Sequence, residues 1–420
     1  MSGSKKQKSR LNLLDEDYQL PLMTINKSSL LNNCQWMQTY ADLANVKLAP
    51  HGKTTMCPEL FKLQVQQGAW GMTLATSYQV TTAYSHGIKK ILMANQLVGK
   101  QNIASITDIL QKDPDFEFYC LVDNRDNIDQ LNSASTKLSR PLQVLIEIAP
   151  EHGRAGLRTK PDVIKLAQYI HSYAPNLQLA GIECYEGVIH CNNPIPEVDK
   201  FLHFVAETSI EIDQLGLFGK DKLILSGGGT VFFDRVSDIL GKVKLSLDYD
   251  LLIRPGCYLS HDSGIYEQFQ KELTDRDPIA KKIDGTLEST IEVLSYIQSI
   301  PEPGLAILNI GKRDVSFDSG LPTPHKHFSI SNKKLHQLDS NWLLNDLNDQ
   351  HAFMAFPKEH KIQVGDIISC QVSHPCLTFD KWPQIALIDD DYQVIDFIES
   401  HFERNHKSQA TSSLLRTLKA

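Results

Sequence analysis

The sequence predicts an α/β protein, a TIM-type (β/α)8 barrel joined to a second, antiparallel β domain. Three observations carry this. From about residue 28 to 254, short apolar runs alternate with longer segments of helical period, giving about eight strand–helix units. After about residue 265 the helical period fades, and short β-rich runs punctuated by turn residues replace it. The chain has 420 residues, more than one ordinary core serves. A doubly wound sheet is the alternative for the first part, but eight regular units favour closure.

The elements follow in order. Val46–Ala49 reads as the first barrel strand and Pro58–Gln67 as its helix; Gly71–Ala75 and Tyr78–Ser85 form the second pair. Lys90–Ala94, Phe116–Val122, Leu142–Ile148, Leu177–Cys184, Leu223–Leu225 and Leu251–Ile253 supply strands three to eight, with helices such as Pro161–Tyr173 and Pro196–Gln214 between them. In the second domain the β-rich runs are Ser289–Ile297, Leu305–Ile310, Lys361–Val372 and Ile385–Asp390, with a PEPG turn at 301–304.

Bulk composition narrows the function. Hydrophobic residues make up 41% and charged residues 22%, so a sizeable core is available. A net charge of -8 argues against a general nucleic-acid partner. The opening MSGSKKQKSR is basic but reads as a solvated tail, and no apolar segment follows it as a secretory signal requires. No apolar run reaches membrane-spanning length. Eight scattered cysteines without a CxxC pair suggest reduced thiols in a cytoplasmic protein.

Five segments carry candidate chemistry. In Pro50-His51-Gly52-Lys53-Thr54, a lysine stands just past the first barrel strand, where active sites of such barrels lie. Burial would lower its pKa toward that of a nucleophilic or basic amine, whereas a lysine taken at random is a surface residue. Gly52 permits close approach of a ligand, and His51 is a possible partner. Ser226-Gly227-Gly228-Gly229-Thr230 follows the seventh strand, where backbone N–H groups can approach a phosphate; the plainer reading is a flexible turn. Tyr185, after the sixth strand, is either a contact to a ligand ring nitrogen or a core aromatic. Arg154, between two glycines after the fifth, is either a ligand contact or half of a structural ion pair. His374 and Cys376 in the β domain are two apart, so an extended chain turns both to one face. Imidazole and thiolate form a zinc pair, although the spacing alone favours a buried cysteine beside a hydrogen-bonded histidine.

Taken together, these segments resemble the D-serine dehydratase and D-threonine aldolase family, fold type III pyridoxal-phosphate enzymes related to alanine racemase. PHGKT at 50–54, TLAT at 73–76, ILMAN at 91–95, SGGGT at 226–230, RPGCY at 254–258 and SHPCLTFDKW at 373–382 carry the resemblance. It covers the chain from about Leu20-Pro21 to Trp382, and its overall length is similar to the bacterial branch called amino acid deaminases. The resemblance implies that Lys53 holds pyridoxal 5'-phosphate, with Ser226, Gly227, Gly228, Gly229 and Thr230 around the phosphate and Tyr185 at the pyridine nitrogen. His51, Arg154 and Tyr258 are further candidate cofactor contacts, and His374 with Cys376 would bind zinc (Zn2+). It also implies that the strand around Leu20–Ile25 joins the β domain and that the protein is a homodimer. The expected division is then a tail over 1–15, a barrel over 26–265, a β domain of 16–25 plus 266–405, and a tail over 406–420. A His-x-Cys pair resembles the dehydratase branch, the aldolases tending to carry His-x-Asp. One departure is Gln350-His351, where a Glu-His pair is more usual.

The implied reaction is loss of water from a D-β-hydroxy amino acid, with Lys53 removing the α-proton and the metal aiding departure of the hydroxyl. Retro-aldol cleavage on the same scaffold is the first alternative. A non-catalytic pyridoxal-phosphate carrier is the second, and the β domain argues against it.

Overall fold

The computed structural model describes residues 11–219 and 222–403. Strand β1 (Leu22–Asn26) leads into a helix, Lys27–Leu43, capped by the Asn26 side chain, which accepts from Ser29 N at 3.0 Å. Eight strands follow: β2 (Lys47–Leu48), β3 (Met72–Leu74), β4 (Lys90–Gln96), β5 (Glu117–Val122), β6 (Leu142–Ile148), β7 (Leu177–Cys184), β8 (Lys222–Gly227) and β9 (Asp248–Ile253). They pair in parallel in the order β2-β9-β8-β7-β6-β5-β4-β3. The ring closes through Trp70 N to Leu48 O at 2.7 Å, Thr73 N to Pro50 O at 2.8 Å, and a parallel bridge between His51 and Thr73. Each strand overlaps the apolar run that predicts it. Inside the ring, Ala49, Leu92, Tyr119, Leu121, Leu145, Ala180, Ile224 and Leu252 form their own buried cluster, so the interior is packed core. Each buried leucine or isoleucine there contributes about 1.5–3 kcal/mol.

Two expectations at the domain boundary change. Ile265–Arg276 is a helix, although the helical period was expected to end by 265. Its sequence is polar and buries only Gln270 and Leu273, so it shows almost no apolar stripe. Arg276 ties it to Asp234 of the barrel helix Phe233–Leu240 through bonds of 2.8 and 2.9 Å. The polar tail expected over 1–15 also ends early. Leu13 is fully buried, and Leu13 N to Tyr392 O (3.1 Å) and Val394 N to Leu11 O (2.9 Å) bind this segment to the second domain. Residues 1–10 and the tail expected over 406–420 lie outside the described residues.

The second domain contains β10 (Ile291–Glu302), β11 (Leu305–Leu308), β12 (Thr323–Ser329), β13 (Lys334–Gln337), β14 (Leu343–Leu347), β15 (Ala352–Ala355), β16 (Ile367–Gln371), β17 (Gln384–Ile388) and β18 (Val394–Glu399). The main path is β13-β12-β16-β10-β1-β17-β18, with β11, β15 and β14 extending from β10. β1 joins this domain as expected, antiparallel to β10 but parallel to β17, so the otherwise antiparallel sheet carries one parallel pair. β1 enters from the far end of the chain, so no hairpin dictates its direction against β17. Among the described residues, no helix is long and apolar enough to cross a membrane.

Candidate active site

Residues from the C-terminal ends of the barrel strands and from the second domain enclose a cavity of about 180 Å3. Lys53, His51, Arg154, Tyr185, Gly229, Thr230, His374 and Cys376 all line it. A larger crevice of about 400 Å3 around Asp262 and Glu292 holds none of the candidate residues.

Lys53 sits in a single helical turn, Gly52–Thr54, directly after barrel closure at His51. A Cβ on Gly52 would meet the Phe61 ring at 2.7 Å, so this turn packs closely only with glycine there. Lys53 is open to the cavity, yet its amine is held below the usual lysine range. Burial is the largest cause; the cations Arg154 and Arg254 add to it, and the sulfurs of Cys376 and Cys257 oppose it. His51 is held well below its ordinary pKa, first by burial and then by Lys53, Arg254 and Arg154. It is therefore a neutral imidazole, and its Nδ1 is buried without a partner.

Beneath these lies a group of buried charges that the sequence reading passed over. Arg254, just past β9, forms a buried ion pair with Glu183 of β7 and donates from Nη2 to Cys184 O at 2.9 Å. Burial pushes the Glu183 carboxyl up to about 7, against the pull of Arg254. Glu147 of β6 is also pushed up by burial and accepts from Gln96 Nε2 at 2.6 Å. The signal was present: Glu147 and Glu183 are charges inside apolar strands, and Arg254 directly follows one.

The glycine turn differs from the expected phosphate loop. Ser226 and Gly227 belong to β8 and do not line the cavity; Ser226 is buried and its Oγ donates to Leu252 O at 3.3 Å. The N–H groups of Gly228 and Gly229 both point to the fully buried Glu186 carboxylate, at 3.1 and 3.0 Å. Of the five residues, only Gly229 and Thr230 reach the cavity. Gly229 has a second task, because a Cβ there would meet the Tyr185 ring at 2.8 Å. Gly187 does the same on its side at 2.6 Å, and the Arg154 guanidinium lies 5.1 Å from the ring centre. Tyr258 is corrected outright: it is buried in the core, its hydroxyl accepts from Gln64 Nε2 at 2.9 Å, and it does not line the cavity. Tyr266 lines it instead, hydrogen-bonded to Cys257. Gln350 and His351 lie between β14 and β15, away from the cavity.

His374 and Cys376 close the other side. His374 Nδ1 lies 2.6 Å from Asp318 Oδ2, which leaves the other ring nitrogen for a second partner. Cys376 Sγ is 3.5 Å from Cys257 Sγ and 3.4 Å from Thr54 Oγ1. The hydrogen bond from Cys257, joined by that from His374, holds the Cys376 thiol well below its usual range. The bond to Cys376 pushes His374 up to about 9. Among the described residues, no three His, Cys, Asp or Glu side chains already surround one point as a metal site does.

Comparison with known proteins agrees with this architecture. Residues 25–199 match the family described as "Alanine racemase, N-terminal domain", and residues 290–388 match "Putative serine dehydratase domain". D-threonine aldolase of an Arthrobacter species is 25% identical over 376 residues, covering 88% of this chain and 89% of that protein. The 3-hydroxy-D-aspartate aldolase of Paracoccus denitrificans is 27% identical over 313 residues, covering 73% and 76%. Among solved structures, D-threonine aldolase from Filomicrobium marinum superposes with a TM-score of 0.76 at 21% identity, over 93% of this chain and 97% of that one. D-threo-3-hydroxyaspartate dehydratase from a Delftia species gives 0.71 at 18% identity, over 94% and 100%. The chain thus joins an alanine racemase-type N-terminal domain to a serine dehydratase-type domain, and it is similar along most of its length to D-threonine aldolase and 3-hydroxy-D-aspartate aldolase, with the fold of the fold type III pyridoxal-phosphate enzymes.

Proposed function

We propose that the chain is a pyridoxal-phosphate- and zinc-dependent lyase that removes water from a D-β-hydroxy amino acid, giving a 2-oxo acid and ammonia. D-serine, D-threonine and D-3-hydroxyaspartate are the candidate substrates. The observation that carries this reading is that Lys53 of the barrel and the His374–Cys376 pair of the second domain face one cavity.

The residues present fit both groups. Lys53 offers an amine of lowered pKa, Thr230 a hydroxyl for a phosphate, and His51 a neutral ring with an unpartnered buried nitrogen. For a metal, His374 has one ring nitrogen tied to a carboxylate, and Cys376 has a sulfur of thiolate character, a donor set suited to zinc. When bound, pyridoxal phosphate supplies an electron sink at the α-carbon and zinc a Lewis acid for the departing hydroxyl.

The chain's own residues do the rest. Lys53 Nζ takes the α-proton, and its lowered pKa keeps more of the amine neutral at a given pH. Tyr185, which the family resemblance puts at the pyridine nitrogen, would offer a phenol there in place of a carboxylate and so would not hold that nitrogen protonated. Arg154 is a cation at the cavity wall suited to a substrate carboxylate. Racemisation would need a second acid on the opposite face of the substrate, and Tyr258 does not supply it, being buried away from the cavity.

Retro-aldol cleavage is the second reading, favoured by the aldolase names of the curated relatives. Product analysis with D-threonine separates the two. Elimination yields 2-oxobutanoate and ammonia; glycine and acetaldehyde in their place would overturn the dehydratase assignment. Bound cofactor with no turnover of any D-β-hydroxy amino acid would favour the non-catalytic carrier.

A further inference from the structure

We infer that Cys257 is a third protein ligand to the metal assigned above to His374 and Cys376, an inference that rests on that assignment. Cys257 belongs to the segment Arg254-Pro255-Gly256-Cys257-Tyr258 after β9, on the barrel side of the cavity. Cys376 comes from the second domain. The two sulfurs are 3.5 Å apart, and Thr54 Oγ1 stands by both, 3.4 Å from Cys376 and 3.9 Å from Cys257. Two thiolates on one tetrahedral zinc, each about 2.3 Å from it, stand about 3.7 Å apart. The sulfurs therefore already have nearly the span that a shared zinc imposes.

The alternative is that Cys257 merely fills space, as most buried cysteines do. Its surroundings argue otherwise. Both sulfurs line the cavity, and none of the other six cysteines does. The Cys257 backbone is anchored by its N–H to Thr230 Oγ1 at 3.4 Å, so its side chain is presented from a fixed base. Among the described residues the three donors do not yet close around one point, so a bound metal would have to draw His374 toward the two sulfurs. One histidine and two cysteines with a fourth position open is a set that catalytic zinc sites use. It would bind zinc more tightly than a pair and still leave room for one substrate oxygen. It would also join the two domains through a single ion.

Zinc-edge X-ray absorption of the cofactor-loaded enzyme, prepared under reductant and loaded with one equivalent of zinc, tests this by counting sulfur neighbours. We expect two sulfurs per zinc in the native protein and one in Cys257→Ser, with zinc held at least about tenfold more weakly in a chelator competition. The visible absorbance of the bound cofactor serves as the folding control. If Cys257→Ser does not fold, alkylation of the native enzyme decides: zinc should shield two thiols. One sulfur per zinc in the native protein, unchanged affinity in Cys257→Ser, or a Cys257–Cys376 disulfide under reductant would each overturn the inference while leaving the metal assignment standing. A native enzyme that takes up no zinc would overturn both.

Discussion

The two sides of the cavity are held in place by different means. On the barrel side, His51, Lys53, Glu183 and Arg254 stand at or just past the ends of β2, β7 and β9, where ladder register fixes the backbone that carries them. On the other side, His374 and Cys376 lie in a connection steadied by hydroxyl groups. Ser316 Oγ donates to His374 O at 2.7 Å, Thr378 Oγ1 to Ser316 Oγ at 3.1 Å, and Ser373 Oγ to Gly320 O at 2.5 Å. The barrel side therefore depends on the sheet, and the domain side on a few local bonds. In the proposed function this is also a division of labour, the barrel holding the cofactor and the second domain supplying His374 and Cys376 for the metal, with Cys257 the one ligand inferred from the barrel side.

If that division holds, each side fails separately. The largest effect is expected from Lys53→Ala, which should remove the visible absorbance of the bound cofactor and lower activity by about 10^4-fold or more, while zinc content stays unchanged. Loss of zinc together with the absorbance would show that the sides are not independent. Chelation should do the reverse, costing about 10^3-fold in activity through loss of the Lewis acid while the absorbance persists. Full turnover after exhaustive chelation would make His374 and Cys376 structural. Arg254→Met tests the barrel frame. It strands Glu183, and losing one partner of a buried pair costs about 3–5 kcal/mol, read from the denaturant midpoint. The low end is expected, because a carboxyl already pushed up to about 7 takes up a proton readily. The smallest effect is a shift in pH. The neutral amine is the form that captures the cofactor carbonyl, and Lys53 is held below the ordinary value of 10.5. The rate of cofactor loading onto apoprotein should rise with pH and level off before 10.5. A rate that reaches half of its plateau only at pH 10.5 or above would contradict the lowered pKa.

The barrel was legible because its strands are buried on both faces and read as unbroken apolar runs. The second domain was less so. β13 (Lys334–Gln337) is exposed throughout and β14 (Leu343–Leu347) mostly so, and neither carries a run that stands out. The helix Ile265–Arg276 was hidden by its polar sequence. Within the site, Lys53 and Tyr185 stand just past strand ends, where the chain alone marks them as candidates, and both line the cavity. What escaped were partnerships across the fold. Glu183 with Arg254, Glu186 with the glycine turn and Asp318 with His374 each join positions that no local pattern connects. Tyr258 misled because an aromatic after RPGC looks placed for a ligand, whereas the backbone turns it into the core and brings Tyr266 forward.

The carboxylate under the glycine turn has a consequence for assembly of the loaded protein. Glu186 satisfies the N–H groups of Gly228 and Gly229 from within, and Gly228 keeps a φ of +74° that few other residues adopt. The turn therefore needs no anion to hold its shape. An incoming cofactor meets a wall that is already set and spends little of its binding energy on ordering the chain. Glu186 acts as an internal template, keeping the empty barrel ready to receive its cofactor.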